Sequence, residues 1–214
     1  MSGCPLSFSN ITTFTLNPNA NSFFPRAIVQ PPAPQLRLLG EIRVGFLNIC
    51  SLRHKVAELE DLINLHMWDV IALCETWLNS TISDNEIHIP GYCVVRCDRY
   101  GRQGGGVCIF YKSTLPVSHR PDLHVDGLEG TWISVNRRGR QHLIGCMYRP
   151  PDSTVTYWER LDGALHKAAL LTPSMTVLGD FNVDVGAGTT SPHYQRFSDL
   201  VASYGLRNLV TTAT

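Results

Sequence analysis

The stretch Trp68-Asp69-Val70-Ile71-Ala72-Leu73-Cys74 carries one polar residue in seven. It is far shorter than the roughly 20 residues that a membrane-spanning helix needs. It has neither the alternation of a strand exposed on one face nor the spacing of an amphipathic helix, so it reads as a strand buried on both faces. Such a strand needs packed layers above and below it. A strand precedes it at Ile42 to Asn48, followed by a helix that Ser51 can cap, with Val56, Leu59 and Ile63 at helical spacing. Beyond it the pattern turns to meander-like strands at Tyr92 to Asp98, Gly106 to Tyr111, Thr131 to Asn136 and His142 to Tyr148. Arg137-Arg138-Gly139-Arg140 reads as the hairpin turn between the last two, an exposed tip rather than a contact surface. A helix opening at Ser153 or Thr154 presents Trp158, Leu161, Leu165 and Ala168 on one face, and Met175 to Gly179 is a further buried strand. A last helix starts at Pro192 and stops at Gly205, with Phe197, Leu200, Val201 and Tyr204 along its apolar face. Helices interleaved with strands of mixed direction imply an α/β fold of four layers, two sheets face to face with helices outside, an α/β/β/α sandwich. Covering its second sheet would need a further strand after Tyr204, so the fold is expected to be incomplete at its C-terminal end.

Residues 1–38 are rich in Ser, Asn, Thr and Pro, and Gln30-Pro31-Pro32-Ala33-Pro34 lacks the amide hydrogens of regular structure, so this part reads as a disordered leader before a domain at 39–214. The 18 basic and 18 acidic side chains cancel, which argues against holding nucleic acid by a global positive field and leaves room for a local basic groove. No secretory signal or membrane span is apparent, and the seven cysteines, an odd number in mostly apolar surroundings, read as reduced thiols of an intracellular protein. Cys93 and Cys97 with His88 make a single pair, short of a structural zinc site.

The residues with chemistry sit at strand ends: Asn48 after the first strand, Glu75 after the second, and Asp180 and Asn182 after a later one. Ligands of open sheets gather outside strand carboxyl ends, so these groups can share one pocket. Glu75 is a hard oxygen donor suited to magnesium, which takes one or two carboxylates and bridges to phosphate. Asp180 and Asn182, two apart on an extended segment, can face one side, the acid handling a reacting oxygen and the amide donating to a phosphoryl oxygen. The alternative is that Asp180-Phe181-Asn182 is a polar turn and Glu75 a surface carboxylate. Arg99, Arg102 and the run Gly104-Gly105-Gly106 form either a basic loop that touches phosphates or a solvated turn. The four tryptophans, at 68, 77, 132 and 158, read as core or rim aromatics.

Leu47-Asn48-Ile49, Glu75-Thr76-Trp77-Leu78, Gly104-Gly105-Gly106-Val107-Cys108-Ile109, Tyr148-Arg149-Pro150-Pro151 and Gly179-Asp180-Phe181-Asn182 follow one another in an order and spacing that resembles the endonuclease/exonuclease/phosphatase superfamily. The Glu-Thr-Trp-Leu and Tyr-Arg-Pro-Pro forms resemble the apurinic-type endonuclease of non-LTR (LINE-type) retrotransposons. That resemblance implies a DNase I-like fold and hydrolysis of DNA phosphodiesters with Mg2+, or Mn2+ in its place. It also implies nicking of chromosomal DNA in the nucleus, which exposes a 3′ hydroxyl for reverse transcription. Position by position, Asn48 and Glu75 match the metal-side residues. Tyr148 matches the tyrosine near the scissile phosphate, Asp180 and Asn182 the pair that handles the reacting oxygens, and Arg149, with Arg99 and Arg102, stands where DNA is expected.

The family's late Ser-Asp-His block has no counterpart here. His193, the one histidine after Asp180, lies at a helix start and reads as a satisfied surface residue. The expectation is a truncated, impaired nuclease with DNA as its partner, no obligate protein partner and no reverse transcriptase domain in the chain. The alternatives are an inactive fragment that at most binds DNA and a phosphatase of the same superfamily.

Overall fold

The computed structural model describes residues 13–15, 36–38, 42–183 and 191–207. The first sheet holds β1 (Thr13–Thr15), β2 (Leu36–Leu38), β3 (Ile42–Asn48), β4 (Val70–Cys74), β5 (Tyr92–Cys97) and β6 (Val107–Lys112), ordered β1-β3-β4-β6-β5 with β2 also on β3. The second holds β7 (Val117–His119), β8 (Glu129–Arg137), β9 (Arg140–Tyr148) and β10 (Met175–Asp180), ordered β10-β9-β8-β7. Both mix parallel and antiparallel pairs: β3 runs parallel to β4 and β10 to β9, whereas β6 and β8 run antiparallel to their neighbours.

Strand alternation builds the layers. Ile42, Val44 and Phe46 of β3 and Val70, Ala72 and Cys74 of β4 point inward, where they meet Ile133, Val135, Ile144, Cys146 and Leu178 of the second sheet. The intervening Leu47, Ile71 and Leu73 face outward under α1 (Val56–His66), through Leu59 and Ile63. Trp132, Leu143 and Met147 pack outward under α2 (Thr156–Leu171), with Phe197 and Leu200 of α3 (Pro192–Ser203) beside them. The chain is therefore an α/β/β/α sandwich, as the pattern predicts. The hairpin also forms where expected, with Arg138 at φ 52° and Gly139 at 73°. The six described cysteines are free thiols; Cys74 and Cys146 face each other across the sandwich at 4.0 Å.

Local details differ from the expectation. Ser51 does not cap α1, which starts after Lys55, because the amides of Ser51 and Leu52 are spent on the carbonyls of Glu75 (2.8 Å) and Thr76 (2.9 Å). Neither Ser153 nor Thr154 caps α2, which begins after Val155; the Ser153 hydroxyl instead closes the preceding turn onto the Pro150 carbonyl at 2.6 Å. The short edge strand β7 has no clear sequence pattern. Inside the stretch read as a leader, β1 and β2 pair with β3; the rest of that stretch, and what was expected beyond Arg207, lie outside the described residues.

Candidate active site

The inward parity of three strands continues past their last apolar residue: Asn48 follows Phe46 on β3, Tyr148 follows Cys146 on β9, and Asp180 follows Leu178 on β10. Their side chains therefore meet where the two sheets open. Asp180 is the register partner of Tyr148 within the second sheet, and Asn48 faces them from the first. Asn48 is 8% exposed, and its amide nitrogen donates to Glu75 Oε1 at 3.0 Å and to Asp180 Oδ2 at 2.9 Å, tying the sheets together. Tyr148 donates its hydroxyl to the same Glu75 Oε1 at 3.2 Å.

Glu75 reaches this point by leaving the strand pattern. The chain turns after Cys74 with φ 54° at Glu75 and 55° at Trp77. The turn is held by Thr76 and Trp77, whose amides donate to the carbonyls of Gly106 (3.2 Å) and Gly105 (2.9 Å). Of the seven described non-glycine residues with positive φ, five lie in the loops at this end: Cys50, Ser51, Glu75, Trp77 and Asn182. Such strain persists only where surrounding contacts enforce it, and it concentrates at functional sites.

The pocket is anionic. Burial and the adjacent Glu75 push the Tyr148 hydroxyl well above the usual tyrosine range, so it remains a donor. Burial, then Glu75, also raises the Cys50 thiol, which lies 3.8 Å from Glu75 Oε2. Two carboxylates joined by a neutral amide suit a hard divalent cation. Glu75 is the residue that fits as its holder, because its Oε2 meets only the weak thiol donor while Oε1 carries both hydrogen bonds. Asn48, also expected beside the metal, turns its nitrogen to the two acids and its oxygen away from them. Its oxygen accepts from the Cys50 amide at 3.3 Å, and turning the amide over would set that oxygen against two carboxylates.

The other expected residues divide. Asn182 is exposed; its φ of 47° breaks the extended geometry, so its side chain donates to the Arg149 carbonyl at 2.7 Å rather than pointing with Asp180. Its backbone amide donates to Asp180 Oδ1 at 3.0 Å. Arg99 lies over the Tyr148 ring, 5.5 Å from its centroid, and bonds Glu129 at 2.7 Å. Arg102 is exposed and paired with Asp152 at 2.9 Å, a surface contact of little strength that phosphate can replace. Arg149 does not face a DNA surface: it is 1% exposed beneath Trp158 and donates to the carbonyls of Phe181, Asn182 and Ser153, each at 3.3 Å. Its odd position one residue past β9, in phase with Leu143 and Met147, is the signal that assigns it to the helix-covered layer. His193 is half-buried rather than at the surface, within 3.3 Å of Arg149 and of Trp158 Nε1. Cys50 is a neighbour of the site that sequence reasoning missed; its place two residues after Asn48 was the available cue. His88, Cys93 and Cys97 form no metal-binding cluster among the described residues.

Comparison with protein families matches residues 44–211 to the Endonuclease/Exonuclease/phosphatase family. Among solved structures, the chain is similar to the endonuclease domain of TRAS1, a telomere-specific non-LTR retrotransposon (16% identity, 79% of this chain and 76% of that one, TM-score 0.62). It is similar to an AP endonuclease from Archaeoglobus fulgidus (17% identity, 76% and 70%, TM-score 0.56). It also resembles the 3′ phosphatase NExo from Neisseria bound to product DNA hairpin (18% identity, 74% and 70%, TM-score 0.54). At these identities the likeness is one of fold. A comparison with curated proteins finds no match. No helix among the described residues is long and apolar enough to cross a membrane.

Proposed function

The chain belongs to the endonuclease/exonuclease/phosphatase family, whose members hydrolyse phosphodiester or phosphate bonds, and we propose that it is a divalent-metal-dependent endonuclease that nicks DNA. The observation that carries this reading is the Asn48 amide bridging Glu75 and Asp180 under the Tyr148 hydroxyl. Glu75 would hold Mg2+ or Mn2+, which supplies Lewis-acid stabilisation of charge on the phosphoryl and leaving oxygens. Tyr148, kept protonated, donates to a phosphate oxygen. Asp180 keeps a free lone pair on each oxygen and accepts the proton of the attacking water, while the Asn182 amide fixes its orientation. Asn48 and Asn182 act by positioning the two acids. Arg99 and Arg102 flank the site for backbone phosphates. The DNA reading, rather than a phosphatase, draws on the Glu-Thr-Trp-Leu and Tyr-Arg-Pro-Pro forms and on the open cleft beside Trp77. A nick in chromosomal DNA, made in the nucleus, would leave a 3′ hydroxyl to prime reverse transcription.

The 214 residues contain no Ser-Asp-His block after Asp180, and His193 is turned to Arg149 and Trp158. His193 is therefore not placed to activate the water, which leaves that step to Asp180. A supercoiled-plasmid assay at high enzyme concentration tests the proposal. Nicking with Mg2+, lost in EDTA and in Glu75→Ala, is expected. Nicking that survives Glu75→Ala refutes it. DNA binding with no nicking at any Mg2+ concentration assigns an inactive binder, and release of phosphate from inositol phosphates without DNA cleavage assigns a phosphatase.

A further inference from the structure

We propose that the cleft beside the active site is a stacking subsite for one unpaired nucleobase of the DNA strand, with Trp77 as its platform. This rests on the endonuclease reading and names the form of DNA that the site takes. The cleft has a volume of about 700 Å³ and is lined by Arg53, His54, Trp77, Tyr100 and Arg102 among others. That volume lies within the usual range of small-ligand pockets. Trp77 on its wall stands two residues past Glu75, which sets the cleft beside the proposed metal site.

Trp77 differs from the other tryptophans. Trp68, Trp132 and Trp158 are at most 4% exposed, whereas Trp77 is 39% exposed. Its φ of 55° is a conformation that a bulky side chain rarely adopts, and the Gly105 carbonyl holds it there through the Trp77 amide. The indole lies against Gly104, whose φ of 84° shapes the loop beside it. Burying the ring would be the ordinary outcome for an indole, so a strained backbone that keeps it open points to a ligand with a flat face. Tyr100 is 99% exposed on the same cleft, a second aromatic face open to a ligand.

The charge of the lining fits a nucleotide. Among the charged lining, Arg99 is held by Glu129 and Asp98 by Arg96, which leaves Arg53 and Arg102 as the cations that can turn to a phosphate. Arg53 and Arg102 are each half-exposed and paired with a surface carboxylate, Glu86 and Asp152, that a phosphate can displace. Aromatic platforms and guanidinium groups together are how single strands are held, and a base offers its face only when unstacked from its duplex neighbours.

The exposure pattern supplies the test. In EDTA, tryptophan emission is followed while a labelled oligothymidylate of about eight nucleotides, a typical site size, is titrated and its anisotropy recorded. Binding is expected to quench the emission. Trp77→Ala should abolish the quench and weaken binding about 5- to 150-fold, the equivalent of one base stack. Trp77→Phe should lose the quench and keep most of the affinity, which also serves if the alanine variant does not fold. A fully paired duplex should bind with little quench. Glu75→Ala should still show the quench even where nicking is lost, which separates this subsite from the catalytic assignment. The proposal is overturned if the oligonucleotide does not bind, if it binds without changing the emission, if the quench survives Trp77→Phe, if folded Trp77→Ala binds like the parent, or if the duplex quenches equally.

Discussion

Replacing Asn48 by aspartate changes one NH2 group to oxygen and tests whether the amide stands between two ionised acids. The amide donates at 3.0 Å to Glu75 and at 2.9 Å to Asp180. A third carboxylate there would repel both, so the new carboxyl keeps its proton instead. A protonated acid donates one hydrogen bond where the amide donated two, and the lost bond to a charged acceptor costs about 1.5–3 kcal/mol at any pH. Holding the proton adds a cost of 1.36 kcal/mol for each pH unit above the ordinary aspartate value near 3.9, about 4 kcal/mol at pH 7 and about 1.5 at pH 5. The sign follows from linkage. The native variant binds one proton more than its unfolded chain over this range, so its stability relative to the parent falls as pH rises. Urea unfolding of both proteins in EDTA at pH 5, 6 and 7 gives the difference directly, free of titrations that the two share. The gap should widen by about 2.7 kcal/mol from pH 5 to pH 7, and Mg2+ at pH 7 should narrow it by favouring the ionised carboxyl. A gap that stays constant with pH would mean that Asn48 does not bridge two charged carboxylates, and the anionic pocket would have to be abandoned.

Two further predictions concern the frame around the site. His142, 6% exposed between the hydroxyls of Ser174 (2.6 Å) and Thr176 (2.9 Å), is pulled down to about 4 by burial. Its neutral form stabilises the fold above pH 6.5, and about 3 kcal/mol is lost as pH falls from 6.5 to 4, where the unfolded chain binds the extra proton. His142→Gln should flatten the acid limb of stability by about that amount in denaturant titrations; an unchanged limb refutes the assignment. Arg149→Met keeps an apolar stem against Trp158 but strands the carbonyls of Phe181, Asn182 and Ser153, so unfolding should cost about 3 kcal/mol less, with faster amide exchange at Asn182. A loss under about 1 kcal/mol would show that the Asp180–Asn182 loop does not depend on this guanidinium.

The sequence makes part of this site readable because strand alternation is a local rule. Once Val44 and Phe46, Ile144 and Cys146, and Leu178 are assigned inward, Asn48, Tyr148 and Asp180 must follow them to the same opening. The same parity read one residue further puts Arg149 under the helices with Met147; its place next to Tyr148 suggested DNA and misled. Alternation fails where the chain leaves the sheet. Asn182 turns away because its φ is 47°, and the same kind of turn brings Glu75 in. Nothing in the Cys74-Glu75-Thr76-Trp77 window dictates that conformation. It is held from outside: the Glu75 carbonyl by the Ser51 amide, the Thr76 carbonyl by Leu52, and the Thr76 and Trp77 amides by Gly106 and Gly105. These contacts come from loops about 25 residues upstream and 30 downstream, so the position of Glu75 belongs to the assembled fold rather than to any short segment. Gly104-Gly105-Gly106, read as a flexible basic loop, accordingly has a different use. Positive φ at all three glycines shapes a loop whose Gly105 and Gly106 carbonyls accept from the Trp77 and Thr76 amides, and the Gly106 amide is anchored in return by Glu129 at 2.8 Å. Rigidity at this turn therefore comes from backbone contacts with two other loops, and it is these that fix where Glu75 and Trp77 point.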